Sequence, residues 1–270
     1  MSDQQPSDAG YFVLDGDDYR PLPPAMSPWT EGLQSGTAMA GLLASAIEDV
    51  PAPCPMLATS FKLDVLRPVP FRRTQARATV VREGRKLQVV RATLAVDGAE
   101  CAVATVVRLR TTPSPIPSPP AQTLRRYPGP EFGHVPSTPM RSAAARRAYE
   151  LRVIAGSFDS RGPGAVWMRM RTAVIAGRPV SPFVHAAVLG DFGSGVGNVL
   201  DRGEFTYANV DISVHMHREP AGEWLLVDAV TATEGLGVAL VSGILADARG
   251  EFGRAHQSLI IEPLDPMKST

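Results

Sequence analysis

Cysteine is nearly absent. Cys54 and Cys101 are the only two in 270 residues, too few for a disulfide framework and at no metal-ligand spacing. No run reaches the roughly 18 uncharged apolar residues that read as a membrane-spanning helix. The polar, acidic opening MSDQQPSDAG lacks the charged-then-apolar pattern of a signal peptide. A cytoplasmic protein with reduced thiols is the expectation. Net charge is missing too: 27 basic and 27 acidic residues cancel, which gives no support for a nucleic-acid or anionic-membrane partner. Lysine is scarce, 3 against 24 arginines; the skew reads as composition and not as a site. What remains is globular: 44% hydrophobic and 20% charged residues, in a chain long enough to hold a core without disulfides or metal.

Several catalytic signatures are also lacking. No G-x-S-x-G elbow exists, so a hydrolase serine of that kind is unsupported. Gly193-Ser194-Gly195-Val196-Gly197 is followed by no Lys-Ser/Thr pair and is neither a P-loop nor a dinucleotide fingerprint. It reads as a helix end and loop in which glycine supplies positive φ. His215 and His217 share one face of a predicted strand but lack a third ligand at a recognisable spacing. They read as polar-face residues, and His185 as packed on its helix; no metal site is expected.

A proline-rich stretch does stand out. Residues 111–130 include five prolines between Pro113 and Pro120, which favour extended backbone and cannot donate to a sheet. It reads as a linker or a strap across the surface, and it divides the chain into parts of comparable size. The two parts resemble each other. Ser27-Pro28-Trp29 recurs as Ser181-Pro182-Phe183 at an offset of 154, which also places Gly36-Thr37 on Gly190-Asp191. Both Ser-Pro pairs suit a helix start. Residues 61–67 fall on 212–218 at an offset of 151, as Glu83-Gly84 falls on Glu234-Gly235 and residues 102–109 fall on 253–260. Each part predicts one helix followed by four or more antiparallel strands. In the first these are a helix over 37–50 and strands over 57–66, 75–81, 86–96 and 99–109; in the second, strands over 209–216, 223–233, 237–245 and 253–261. A sheet curled around a helix buries both apolar faces, an α+β solution.

A duplicated scaffold with one site should betray it by asymmetry. On these offsets Asp191 stands where the first part has Thr37, Asn209 where it has Ala58, and Gln257 where it has Val106. Three polar groups inside apolar elements are costly unless paired. They either satisfy one another or form a site.

At this point the chain resembles the double-hotdog acyl-CoA thioesterases, the acyl-CoA thioesterase II type and its thioesterase-like relatives. The resemblance is carried by Asn209-Val210-Asp211-x-Ser213, His217-Arg218-x-Pro220, Glu223-Trp224-Leu225-Leu226, Gly190-Asp191-Phe192 and His256-Gln257-Ser258. Pro28-Trp29 and Gly32-x-Gln34-Ser35-Gly36 are similar to the first hotdog helix segment. It implies a double hotdog of two antiparallel sheets, each wrapped on a central helix. The units would be residues 1–112 with a polar tail, a linker over 113–140, and residues 141–270 carrying the site.

The resemblance also implies hydrolysis of acyl-CoA with Asp191, Asn209 and Gln257 as catalytic residues and no metal or bound cofactor. Asp191 would take a proton from a water held by the other two. Surface arginines would receive the phosphates of coenzyme A. The partner implied is a small acyl-CoA substrate, with no nucleic acid and no membrane, and the chain is expected to form a homo-oligomer. Asn209 stands where the family has a hydroxyl. A hydroxyl donates and accepts at one atom, whereas an amide divides those roles. The alternatives left open are therefore hydratase- or dehydratase-like chemistry on a related substrate, and acyl-CoA binding without catalysis.

Overall fold

The structure, a computed structural model, describes residues 10–113, 125–137, 142–156, 160–201 and 203–264. The tail up to residue 9 and the proline run from 114 to 124 lie outside the described residues. The first part contains β1 (Gly10–Asp15), β2 (Asp18–Pro21), α1 (Gly36–Glu48), β3 (Met56–Val65), β4 (Thr74–Glu83), β5 (Leu87–Val96) and β6 (Ala99–Arg110). The second contains α2 (Ala143–Ala148), β7 (Tyr149–Ala155), β8 (Gly164–Met170), β9 (Ala173–Ile175), α3 (Pro182–Gly190), α4 (Gly193–Val196), β10 (Phe205–Met216), β11 (Trp224–Ala232), β12 (Val238–Asp247) and β13 (Gly250–Pro263).

Both long helices are apolar all round, which only a fully surrounded helix tolerates. Residues 38–47 of α1 and 183–190 of α3 are buried. Each starts the same way: Ser35 Oγ accepts the Ala38 N–H and Ser181 Oγ the Val184 N–H, both at 3.2 Å, satisfying one of the orphan donors of a first turn. The alignment of Ser27 with Ser181 therefore needs correcting. Ser27 caps no helix; its hydroxyl accepts from Trp29 and Thr30 in a loop. By their caps Ser35 and Ser181 correspond, and the residue that matches Asp191 is Ser45, not Thr37.

The strands form one continuous sheet of thirteen in the order β7-β8-β11-β12-β13-β10-β3-β6-β5-β4-β2-β1-β9. The expectation of two sheets, each on its own helix, is corrected on that point. β3 and β10 pair directly, with Lys62 opposite Ser213, so their ladder joins the halves, and α1 packs on α3 across the same line. The hotdog fold holds in its coarser sense, helices enclosed by a curled antiparallel sheet. β9 departs from the antiparallel rule, running parallel to β1 from the opposite half with Gly10 beside Ala173.

About the Lys62–Ser213 pair the two halves repeat at an offset of 151. Phe61 faces Val106 as Ile212 faces Gln257, and Val90 faces Val106 as Val241 faces Gln257. Even irregularities recur: bulges fall between Ala58 and Ser60 and between Asn209 and Asp211, and again between Leu94 and Ala95 and between Leu245 and Ala246. The described end of the proline-rich stretch is a strap. Trp167 Nε1 donates to the Pro128 carbonyl at 2.8 Å and the Tyr127 hydroxyl to Asp228 at 2.7 Å. Tyr127 thereby covers a second small core of Trp167, Leu226 and Ala246. Among the described residues no helix is long and apolar enough to cross a membrane.

Candidate active site

The polar trio converges on the end of α3. Asp191 is its C-cap residue, with φ −78° and ψ −17°. Gly190 before it must be small, because a Cβ there would lie 2.5 Å from Val214 Cγ2. Gln257, 1% exposed, reaches up from β13 and donates through Nε2 to the carbonyls of Gly190 at 3.0 Å and Asp191 at 2.9 Å. It thus satisfies carbonyls that the helix cannot pair itself. Asn209 precedes the β10 bulge, a device that re-aims side chains, and its Nδ2 donates to Asp191 Oδ1 at 2.6 Å. Both amides keep a free acceptor. Asn209 Oδ1 and Gln257 Oε1 are buried with no hydrogen-bond partner among the described residues, and such orphans are costly unless something else meets them.

The opposite half completes the site. The start of α1 faces Asp191, whose carboxylate accepts the backbone N–H of Thr37. Gly36 makes the approach possible: a Cβ at that position would fall 2.6 Å from Asp191 Cγ. A helix N-terminus favours a negative charge, yet burial dominates. The Asp191 residue keeps some accessible surface, but its carboxyl is enclosed and pushed up to about 6, while Asn209 and Thr37 pull the other way. A carboxyl poised there can exchange a proton near neutral pH.

Two phenols line the same region. Tyr149, from β7, hydrogen-bonds the Thr37 side chain, and its hydroxyl meets that of Tyr11 from β1. Both are buried, and both are raised well above the usual tyrosine range, first by burial and also by the Asp191 charge. Sequence reasoning missed both tyrosines and took Gly36-Thr37 as an alignment marker. Tyr11 and Tyr149 are isolated in sequence and form no local spacing.

Other residues singled out in the sequence take structural places. His185 is buried in α3 and pushed down to about 4 by burial, with Nε2 unpartnered among the described residues. His215 and His217 are exposed, and no metal-holding group of three or more His, Cys, Asp or Glu exists among the described residues. The glycines of 193–197 are not at positive φ, contrary to expectation. Gly193 and Gly197 are small for close approach instead: a Cβ would meet Gln257 Oε1 at 3.0 Å or Ala229 backbone at 2.8 Å. Arg218 of the His-Arg motif braces the turn between β12 and β13, bonding the buried Asp247 at 2.5 and 2.8 Å. Burial alone would raise the Asp247 carboxyl; Arg218 and the N–H groups of Ala221 and Arg249 hold it below its usual range.

Comparison with known proteins follows the same division of the chain. Residues 25–109 match the family model for the acyl-CoA thioesterase N-terminal domain, and residues 111–261 that for the C-terminal domain. A putative thioesterase II from Thermobifida fusca is 16% identical, covers 97% of this chain and 99% of its own, and superposes with a TM-score of 0.71. A hot dog fold protein of unknown function from Alicyclobacillus acidocaldarius is 18% identical, with 96% and 98% covered and a TM-score of 0.72. An acyl-CoA thioesterase II, TesB2, from Mycobacterium marinum is 19% identical, with 96% and 98% covered and a TM-score of 0.67. No curated protein sequence matches the chain.

Proposed function

The chain belongs to the acyl-CoA thioesterase family, and from that premise we propose that it hydrolyses acyl-CoA thioesters to free acid and CoA with a water activated by Asp191. One observation carries the reading: an enclosed carboxyl, held at about 6, lies beside two buried amide oxygens that have no partner among the described residues. A water donating its hydrogens to such acceptors is oriented for attack. As its oxygen bonds to the thioester carbonyl carbon, its proton passes to the Asp191 carboxylate. The C–S bond then breaks, the thiolate of CoA takes that proton back from Asp191, and the acid leaves. Asn209 holds the carboxylate through Nδ2 and Gln257 anchors the helix end on which the carboxylate rides.

In this reading residues 1–112 and 141–270 act as two hotdog units joined by 113–140, with the repeating registers as its support. The enzyme works in the cytoplasm as a homo-oligomer on a small acyl-CoA, without metal or bound cofactor. The test is thiol release from a panel of acyl-CoAs by the wild-type chain and by Asp191→Asn. The variant should lose on the order of 10²–10⁴ in rate. Hydrolysis surviving at full rate removes Asp191 from the mechanism.

A further inference from the structure

Asn209 is the one side chain of the polar trio with a hydrogen to spare. A side-chain amide carries two hydrogens. Gln257 Nε2 commits both of its own, to the carbonyls of Gly190 at 3.0 Å and Asp191 at 2.9 Å. Asn209 Nδ2 commits one, to Asp191 Oδ1 at 2.6 Å, and has no second partner among the described residues. Its enclosed Oδ1 has none either. The fold does not require an amide here. In the first half the matching bulge follows Ala58, the counterpart of Asn209 at the offset of 151.

Charge fixes how this amide sits. Turned the other way, it would set Oδ1 against the Asp191 carboxylate, two acceptors with no hydrogen between them. The same repulsion selects the hydrogen that the carboxylate takes, the one on the side of Nδ2 away from Oδ1. The remaining hydrogen then lies on the Oδ1 side. One edge of a planar group thus presents a donor and an acceptor next to each other, and no protein group among those described meets either.

A tetrahedral adduct on a thioester carbon presents the complementary pair. The attacking water, having passed one proton to Asp191, stays on that carbon as a hydroxyl that donates. The former carbonyl oxygen carries negative charge and needs a donor. We propose that Asn209 binds both oxygens of this adduct, Nδ2–H as donor to the oxyanion and Oδ1 as acceptor from the hydroxyl. It is then a catalytic residue as well as the support of the Asp191 carboxylate. This rests on the thioesterase reading above. It gives the departure from the family's hydroxyl a physical content. A hydroxyl has one hydrogen, and once that is given to Asp191 none is left for the oxyanion, whereas the amide serves both.

The experiment compares Asn209→Thr, Asn209→Ser and Asp191→Asn in thiol release from acyl-CoAs across the neutral range. Threonine suits a strand, and serine is read in its place should the threonine variant fail to fold. The hydroxyl still donates to the carboxylate, so the acid limb should keep its midpoint near 6. Plateau kcat should nevertheless fall about 10²-fold, with little change in KM. A second readout uses a CoA-linked trifluoromethyl ketone, whose hydrate carries two oxygens on one carbon as the adduct does. Asn209→Thr should weaken its binding by about the factor lost in kcat/KM. Full plateau kcat in the hydroxyl variant, or unchanged affinity for the hydrate, with Asp191→Asn inactive, overturns this inference and leaves the thioesterase reading standing. Full activity in Asp191→Asn, or no turnover by the wild type, overturns both.

Discussion

The two long helices end in opposite ways. At the C-terminus of α1 the buried guanidinium of Arg108 donates to the carbonyls of Ile47 and Val50, each at 2.7 Å, and to Gln88 Oε1 at 2.9 Å. Gln88 in turn donates to Glu83 and to the Pro51 carbonyl. No buried polar side-chain atom of Arg108, Gln88 or Glu83 lacks a partner there, and a cation suits that end of a helix dipole. At the C-terminus of α3 a neutral amide, Gln257, does the capping, and a carboxylate and two unpartnered oxygens are left beside it. One helix end is closed for stability; the other is held open at a cost. Buried polar groups without partners destabilise, and they persist where something other than stability retains them.

Variants break this contrast at different points. After Asp191 itself, the largest effect is expected from Gly36→Ala, because its new methyl group would sit where the Asp191 carboxylate lies. Displacing the carboxylate should cost about 10²-fold or more in kcat/KM for acyl-CoA. The first half should respond in stability instead. Arg108→Met strands the carbonyls that the guanidinium holds and should lower unfolding free energy by about 2–4 kcal/mol in urea titration, with little change in turnover of the folded protein.

Asp191→Asn should move stability the other way and by less. Its folded-state carboxyl sits near 6 against an ordinary 3.8. Between those values the native state binds a proton that the unfolded chain releases, so stability falls as pH rises through this window, and above it the buried charge is a burden. Removing that charge should therefore raise stability at pH 8 by about 1–2 kcal/mol, with no gain at pH 3. A variant that is both inactive and more stable is the signature of a group kept for function.

The sequence made much of this contrast legible, for definite reasons. Strand registers were readable because the offset of 151 runs without insertion from β3 to β6 and from β10 to β13, bulges included. Ala58 and Val106 were thus correctly set against Asn209 and Gln257. The helices misled because one Ser-Pro pair stands ahead of each: Ser27-Pro28 looks like Ser181-Pro182, yet the apolar run that buries begins after Ser35. Local capping chemistry was satisfied at both places, and only burial chose between them. β1, β2, β7 and β8 went unread: β2 is short and β1 and β8 are apolar without alternation, whereas β7 does alternate, Tyr149, Leu151 and Val153 against Glu150 and Arg152, and was overlooked. Tyr11 and Tyr149 lie on two of those strands, and what joins them is the meeting of the halves, which no local pattern records.

The most direct test of a single carboxylate site built between the halves is the pH dependence of kcat/KM for an acyl-CoA, compared between wild type and Asn209→Ala. The wild-type profile should fall on the acid side with a midpoint near 6, where the Asp191 carboxyl takes its proton. Asn209 lowers that midpoint through its hydrogen bond, so installing the first half's alanine should shift the acid limb to higher pH. A flat profile between pH 5 and 7, or an acid limb that the alanine leaves in place, would contradict the account.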